Sequence, residues 1–166
     1  MEFLDARRLT GPSLLLDVPG SILDVCCSAA DADRLIPVWT NHVSRMLEQL
    51  DWPSTRFASL KLRGGVSLAF SAPIDALYTA SEINEWAWAA SAAELGVGDE
   101  APDFDDAVAA IVAAAEEEAN AELMWLVDAA AEYGKTLLWD DDEVSVGLGR
   151  GSETWSVKEI PDAPDW

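Results

Sequence analysis

Short extended segments separated by turn residues fill the start of the chain, and a stretch with helical periodicity follows them. Segments and turns alternate in the order 3–9, Gly11-Pro12, 14–16, Pro19-Gly20 and 22–27. From Asp31 or Asp33 to Leu50, apolar residues recur every three or four positions, which predicts an amphipathic helix. This change of period within one short chain predicts two or three strands followed by a helix.

The middle of the chain repeats this order. Segments 56–62 and 66–70 flank two glycines and predict a β-hairpin. Ser71 is the expected N-cap of a helix over 74–95. Pro37 is expected in the first turn of the preceding helix or at a bend in it, because proline lacks the backbone N–H that a helix interior uses.

Two further helices and a hairpin are predicted in the C-terminal part. Asp103 is the expected cap of a helix that ends near Asn120, and Asn120 in turn caps a helix closed by Gly134. Segments 136–139 and 144–146 predict the strands of a hairpin with carboxylates between them.

Together these elements predict an α+β fold, with a mixed or antiparallel sheet, about four helices packed on it and a C-terminal β-hairpin that closes it. At 166 residues the chain suits one core, so residues 1–157 are expected to form a single domain. That domain contains an acidic helical segment over 103–134 and the hairpin over 136–156. Residues 158–166 show no periodicity and are expected to form a linker or tail.

Negative charge is concentrated in the second part of the chain. The net charge is −21; residues 1–70 hold seven basic and eight acidic side chains, whereas residues 71–166 hold three basic and 23 acidic ones. This distribution argues against binding to nucleic acid or to an anionic membrane. A solvated surface and a surface for a basic protein partner remain as interpretations.

Cys26 and Cys27 are adjacent, and neighbouring cysteines are badly placed for a structural disulfide. We therefore expect two buried free thiols in a reducing compartment. The N-terminus has acidic residues where a signal peptide has basic ones, and no apolar run approaches the ~20 residues of a membrane span. A cytoplasmic protein is expected.

Consecutive carboxylates from Asp140 to Glu143 could offer oxygen ligands to magnesium, with Asp140 and Asp142 as weak candidates. Adjacent side chains on a strand alternate between its faces, so few of these carboxylates can converge on one ion. A solvated turn is the competing interpretation.

A glycine-rich segment follows the last predicted strand. Gly147, Gly149, Arg150 and Ser152 could hold a phosphate through backbone N–H groups and the guanidinium, or could form a tight turn. No complete Gly-x-x-x-x-Gly-Lys-Ser/Thr loop is present.

The central helices offer weaker candidates. His42, the one histidine, is expected in or at the boundary of the core, and the sequence gives no support for a catalytic triad. Asn84, Glu85 and Trp86 precede Trp88 on a predicted helix. Two tryptophans two positions apart cannot face one direction, so one is expected to lie at an interface or over a neighbouring element.

Three stretches of the sequence match a known pattern. They are Arg8-Leu9-Thr10-Gly11-Pro12-Ser13, then 72–78 running into 82–86, and finally 138–152. Together they resemble the N-terminal region of cyanophycin-synthetase-like Mur ligases, over most of the chain. Residues 126–150 also resemble the helix, strand and glycine turn that open the ATP-grasp part of cyanophycin synthetases.

The resemblance implies a non-catalytic accessory domain that positions an amino-acid or peptide acceptor, or assembles with an ATP-dependent ligase core in the same polypeptide. ATP and magnesium are implied for that core and no cofactor for this chain; a homo-oligomer is left open. The candidate ligand or interface residues are Arg8, Arg63, Asn84, Glu85, Trp86, Gly147, Gly149, Arg150 and Ser152. An anionic substrate group is expected near the basic residues of the first 70. The alternative is a free-standing acidic module that binds another protein.

Overall fold

The computed structural model describes residues 1–52, 55–100, 103–140 and 142–161. Two compact units are distinguished, Met1–Glu118 and Ala119–Trp166. The single domain expected over 1–157 stays a prediction, since two compact units of one chain can still fold cooperatively. The expected linker over 158–166 falls largely outside the described residues.

The first unit is built on a four-stranded antiparallel sheet with the strand order β1-β2-β4-β3. Its strands are β1 (Glu2–Leu9), β2 (Gly20–Cys26), β3 (Phe57–Leu62) and β4 (Gly65–Ser71). Its helices are α1 (Ala29–Leu47), α2 (Leu77–Glu94), which a short 3-10 turn precedes, and α3 (Phe104–Glu118). The hairpin predicted around two glycines is confirmed as β3 and β4.

The core of this unit lies between one face of the sheet and the helices α1 and α2, and α3 packs on α2. Period-two alternation turns Leu23, Val25, Leu68 and Phe70 toward the helices, where they are almost completely buried. Trp39 of α1 packs edge-on against a phenylalanine of β3 and is 1% exposed. The α+β class predicted from the sequence is therefore confirmed, with an antiparallel sheet.

Helix α1 begins where a reciprocal cap satisfies its first backbone groups. The Ser28 hydroxyl accepts a hydrogen bond from the Asp31 backbone N–H at 3.2 Å and donates one to the Asp31 carboxylate at 2.8 Å. This bond holds the pKa of Asp31 below its usual value. Pro37 lies inside the helix rather than in its first turn. Burial of the apolar face of α1 therefore outweighs the backbone hydrogen bond that is lost because proline has no N–H.

Two local expectations are wrong. Residues 14–16 form a turn instead of a strand, because the Ser13 hydroxyl accepts hydrogen bonds from the backbone N–H groups of Leu15 and Leu16. Ser71 does not cap the following helix. It ends β4, and its hydroxyl accepts a hydrogen bond from the Arg56 backbone N–H at 2.8 Å.

The second unit contains α4 (Ala121–Glu132) and a three-stranded antiparallel sheet of β5 (Leu137–Trp139), β6 (Glu143–Val146) and β7 (Glu153–Ser156). The Asn120 side chain accepts from the Leu123 N–H at 2.9 Å, which confirms the predicted cap. Gly134 ends the helix with a φ of 61°, a conformation that suits glycine. The predicted hairpin of β5 and β6 is present, and β7 extends it.

Both cysteines are free thiols. Cys27 is buried as expected, and burial raises the pKa of its thiol. Cys26 is exposed, because it lies one position along and points to the opposite face of the sheet.

Over the described ranges, none of the helices combines the length and the apolar character needed to cross a bilayer.

Candidate ligand-binding site

The sheet face opposite α1 and α2 is only partly covered. At one end, Leu16 of the loop between β1 and β2 packs on Ile22 and Ala69. At the other end, polar side chains of β1, β2 and β4 border an open cavity of about 410 Å³. We call this the outer-face cavity; the turn between β3 and β4 forms its rim.

A hydrogen-bonded network forms one wall of the outer-face cavity. The Arg7 guanidinium lies 3.0 Å from an Asp5 oxygen and 2.5 Å from an Asp24 oxygen. The hydroxyl of Ser67, a residue only 6% exposed, donates to the other oxygen of Asp24. Both Asp24 oxygens are therefore occupied. The hydrogen bond from Arg7 to Asp24 is the main reason that the pKa of Arg7 is raised.

Arg63 supplies the available positive charge of the cavity. It lies in the two-residue turn between β3 and β4, and it is exposed. Among the described residues, no hydrogen bond or ion pair occupies its guanidinium. Because Arg7 is already neutralised by two carboxylates, an anionic group entering the cavity would meet Arg63 as its charge partner.

The network does not form a nucleophilic site. Ser67 donates its proton to a carboxylate rather than to a histidine base, and His42 belongs to α1 on the other side of the sheet. The geometry supports binding and orientation of a ligand, not activation of the hydroxyl.

His42 lies at the boundary of the core, where its Nε2 is 2.9 Å from a Glu94 carboxylate oxygen. Its ring meets the Trp86 ring edge-on at 5.8 Å between centroids. The His42 Nδ1 and Trp86 Nε1 atoms are buried, and neither has a hydrogen-bond partner among the described residues. Trp86 is itself 8% exposed and packs on Phe104.

Asn84, a candidate ligand residue, is completely buried. Its side-chain amide donates to the Ser21 hydroxyl at 2.8 Å, and its oxygen accepts from Trp39 Nε1 at 3.0 Å. Asn84 thus links α1, α2 and β2 inside the core. Its neighbour Glu85 is exposed, and Trp88 is half-buried against Phe3.

Arg8 faces the helical side of the sheet. Its guanidinium lies 3.8 Å from the centroid of the Tyr78 ring of α2, which is a cation–π geometry. The structure therefore separates two of the basic candidates, because Arg8 lies against α2 and Arg63 borders the outer-face cavity.

A second cavity, of about 370 Å³, lies in the second unit beside the glycine-rich turn. Gly147 has a φ of 88°, and a Cβ there would come within 2.9 Å of the Gly151 oxygen, so this backbone requires glycine. Arg150 does not line the cavity, and the Ser152 hydroxyl donates to the Gly149 oxygen at 2.9 Å. Two of the predicted phosphate donors therefore point elsewhere.

Lys135 lines this second cavity and was not predicted from the sequence. The signal that could have found it is the triplet Gly134-Lys135-Thr136. The triplet follows a helix and precedes a strand, whereas a phosphate-binding loop joins a strand to a helix. Glu153 also lines the cavity and opposes binding of an anion.

The carboxylates between β5 and β6 form a turn. The Asp140 side chain accepts hydrogen bonds from the backbone N–H groups of Asp142 and Glu143, at 3.0 and 2.9 Å. Asp141 lies outside the described residues. Within the ranges that the structure describes, no three side chains of histidine, cysteine, aspartate or glutamate are grouped to hold a metal ion; magnesium binding stays a prediction.

No protein-family model matches the sequence of this chain, and no curated protein matches it significantly.

Proposed function

We propose that this chain is a non-catalytic accessory domain of a cyanophycin-synthetase-like Mur ligase, and that its outer-face cavity holds an anionic group of the amino-acid or peptide acceptor. The observation that carries the proposal is the exposed Arg63 guanidinium beside a carboxylate network that is already satisfied.

Hydrogen bonds within the network weaken its repulsion of an anion. Asp24 is held by Arg7 and Ser67, and Arg63 offsets the net charge of −1 that Asp5, Asp24 and Arg7 leave together. Arg63 can then donate two parallel hydrogen bonds to a carboxylate or phosphate. The apolar side chains of Leu4 and Leu62, which also line the cavity, suit the aliphatic part of such a ligand.

The stretches that carry the family resemblance support the accessory role. The first begins at the end of β1, the second runs through the start of α2 to Trp86, and the third covers most of β5, all of β6 and the glycine turn, and ends before β7. Asn84 and the glycine at 147 have structural roles there, which is what an accessory domain with a maintained fold requires. A cytoplasmic location belongs to the same proposal and agrees with the free thiols.

Substitution of Arg63 in the full-length ligase tests the role of the cavity. Because a hydrogen bond to a charged group contributes roughly 1.5–3 kcal/mol, Arg63→Ala should raise the KM for the acceptor about tenfold or more and leave the KM for ATP unchanged. Arg34→Ala is the matched control, since Arg34 is an exposed arginine of α1 on the other side of the sheet. Equal effects of both substitutions, or turnover of ATP by this chain alone, would refute the proposal.

The second candidate function is a free-standing acidic interaction module. It is favoured by exposed carboxylates on α3, among them Asp105, Asp106, Glu116 and Glu117. Such a module should bind a lysine-rich peptide with an affinity that falls steeply with salt, and reversing these charges should abolish binding. Unchanged binding in the charge-reversed variant would exclude it.

A further inference from the structure

The two edges of the four-stranded sheet differ in how they are protected. β1 carries an irregularity between Phe3 and Asp5, where the pairing register shifts. β3 pairs with β4 without any shift over its whole length, Phe57–Leu62, and contains no proline. Bulges, prolines and charged side chains are common means of blocking association at sheet edges; β3 has no bulge or proline, and its one charged side chain, Lys61, is paired with Asp33.

The backbone groups that β3 presents to solvent can be deduced from its pairing. The Ser71 N–H donates to the Arg56 oxygen at 2.9 Å, so even-numbered residues of β3 bond to β4. In an antiparallel ladder, the intervening residues point the other way. Phe57, Ser59 and Lys61 therefore direct their N–H and C=O groups outward, and no partner for these groups is found within the described ranges.

Charge varies along this edge. At its start, Glu48 and Asp51 line a cavity of about 280 Å³ together with Thr55 and Phe57. At its end lies Arg63. The other two cations beside the strand, Arg56 and Lys61, are paired with Asp17 and Asp33. The edge thus runs from negative at Thr55 to positive at Arg63.

We propose that β3 pairs antiparallel with the β3 of a second copy of this chain, about a twofold axis at Ser59. In this register Phe57 lies opposite Lys61 of the second copy, and the outward backbone groups of both strands meet. The positive end of each strand then faces Thr55 and the acidic cavity of the other copy, so the charge gradient is self-complementary, and the dimer competes with an anionic ligand for Arg63. The two sheets join into one of eight strands.

One apolar side chain on the outer face supports the same pairing. Leu60 is 40% exposed there, whereas Phe57 lies on the helical face against Trp39 and Phe70. Antiparallel pairing about Ser59 brings Leu60 beside the Leu60 and Ala58 side chains of the second copy, which covers them.

The net charge of −21 on each chain opposes association over longer distances. Salt screens this repulsion, so the dimer should be favoured at higher ionic strength.

The test is sedimentation velocity and light scattering of the full chain at low and high salt. The expected result is a species of about twice 17.9 kDa whose fraction rises with protein concentration and with salt. Ser59→Pro should make the chain monomeric, since it removes an outward N–H and leaves the ladder to β4 intact. Circular dichroism establishes whether this variant is folded.

A charge variant tests the same interface without altering the strand. Glu48→Arg with Asp51→Arg removes the complement of the positive end and should weaken the dimer at least tenfold. Glu85→Arg with Glu117→Arg makes the same change in net charge at exposed sites on α2 and α3, and should strengthen the dimer by reducing repulsion. A chain that is monomeric at all concentrations would overturn the proposal, and so would a dimer that withstands both Ser59→Pro and the Glu48/Asp51 change. Association in which β3 contacts a segment other than the β3 of a second copy would overturn it as well.

Discussion

The carboxylate of Glu118, in the last turn of α3, accepts hydrogen bonds from the backbone N–H and the hydroxyl of Thr79, at 2.8 and 2.9 Å, in the first turn of α2. Its other oxygen accepts from the Tyr78 N–H at 2.7 Å. An anion at the C-terminal end of a helix is normally unfavourable. Here the N-terminus of a second helix compensates for it, and Glu118 serves as the cap that α2 lacks locally.

Removal of this cap should destabilise the first unit. Glu118→Ala leaves two N–H groups of α2 without their acceptor, so we expect the free energy of unfolding in urea to fall by about 1 kcal/mol, the usual effect of losing an N-cap. Glu117→Ala is the control, because Glu117 is exposed beside it. If Glu117→Ala destabilises as much as Glu118→Ala, the capping role is wrong.

The buried amide of Asn84 should be required for stability. Asn84→Ala leaves the Trp39 indole N–H in the core without its acceptor, which typically costs about 1–3 kcal/mol. Glu85→Ala, one position along on the exposed face, should stay within about 0.5 kcal/mol of the original chain. Thermal and urea unfolding of both variants measure the difference; equal stabilities would mean that the hydrogen bond contributes nothing.

The cap of α1 should depend on pH. The Ser28 hydroxyl lowers the pKa of Asp31 in the folded protein, so its contribution is present above the ordinary pKa of aspartate and is lost as the pH falls through the folded value. Ser28→Ala should destabilise the chain, and the loss of stability should be larger at neutral pH than in acid. Unfolding curves across the acidic range test this, and a pH-independent difference would count against it.

The stability contributed by Glu82 should change with pH in the direction opposite to that of Asp31. Partial desolvation, followed by the charges of Glu118 and Glu85, raises the pKa of Glu82. A carboxyl with a raised pKa binds its proton more tightly when folded, so its contribution to stability falls as the pH rises through that window. Glu82→Gln should therefore stabilise the chain at neutral pH and flatten its acid profile. A loss of stability at neutral pH would contradict the raised pKa.

Local patterns were sufficient for most of the secondary structure. The apolar spacing from Leu35 to Leu50 predicted α1 within a few residues at each end. The side chain of Asn120 and the positive φ of Gly134 marked the ends of α4. The prediction that Ser71 caps a helix was wrong because serine is common both as a helix cap and at the end of a strand. Which role it takes depends on Arg56, the residue that immediately precedes the neighbouring strand β3.

The polar contacts between distant segments could not be predicted in this way. The Arg7–Asp24–Ser67 network joins three strands, and its members become neighbours only when β2 pairs with both β1 and β4. Asn84 was a candidate ligand or interface residue, because helical spacing alone does not reveal that the indole of Trp39 lies opposite its side chain.

The role as an accessory domain is tested most directly by the mass of the native protein. An antibody raised against this chain should isolate a polypeptide much heavier than 17.9 kDa, and peptide sequencing should find a ligase core with a complete phosphate-binding loop after Trp166. A native protein of 17.9 kDa that ends at Trp166 would contradict that role and favour the free-standing acidic module.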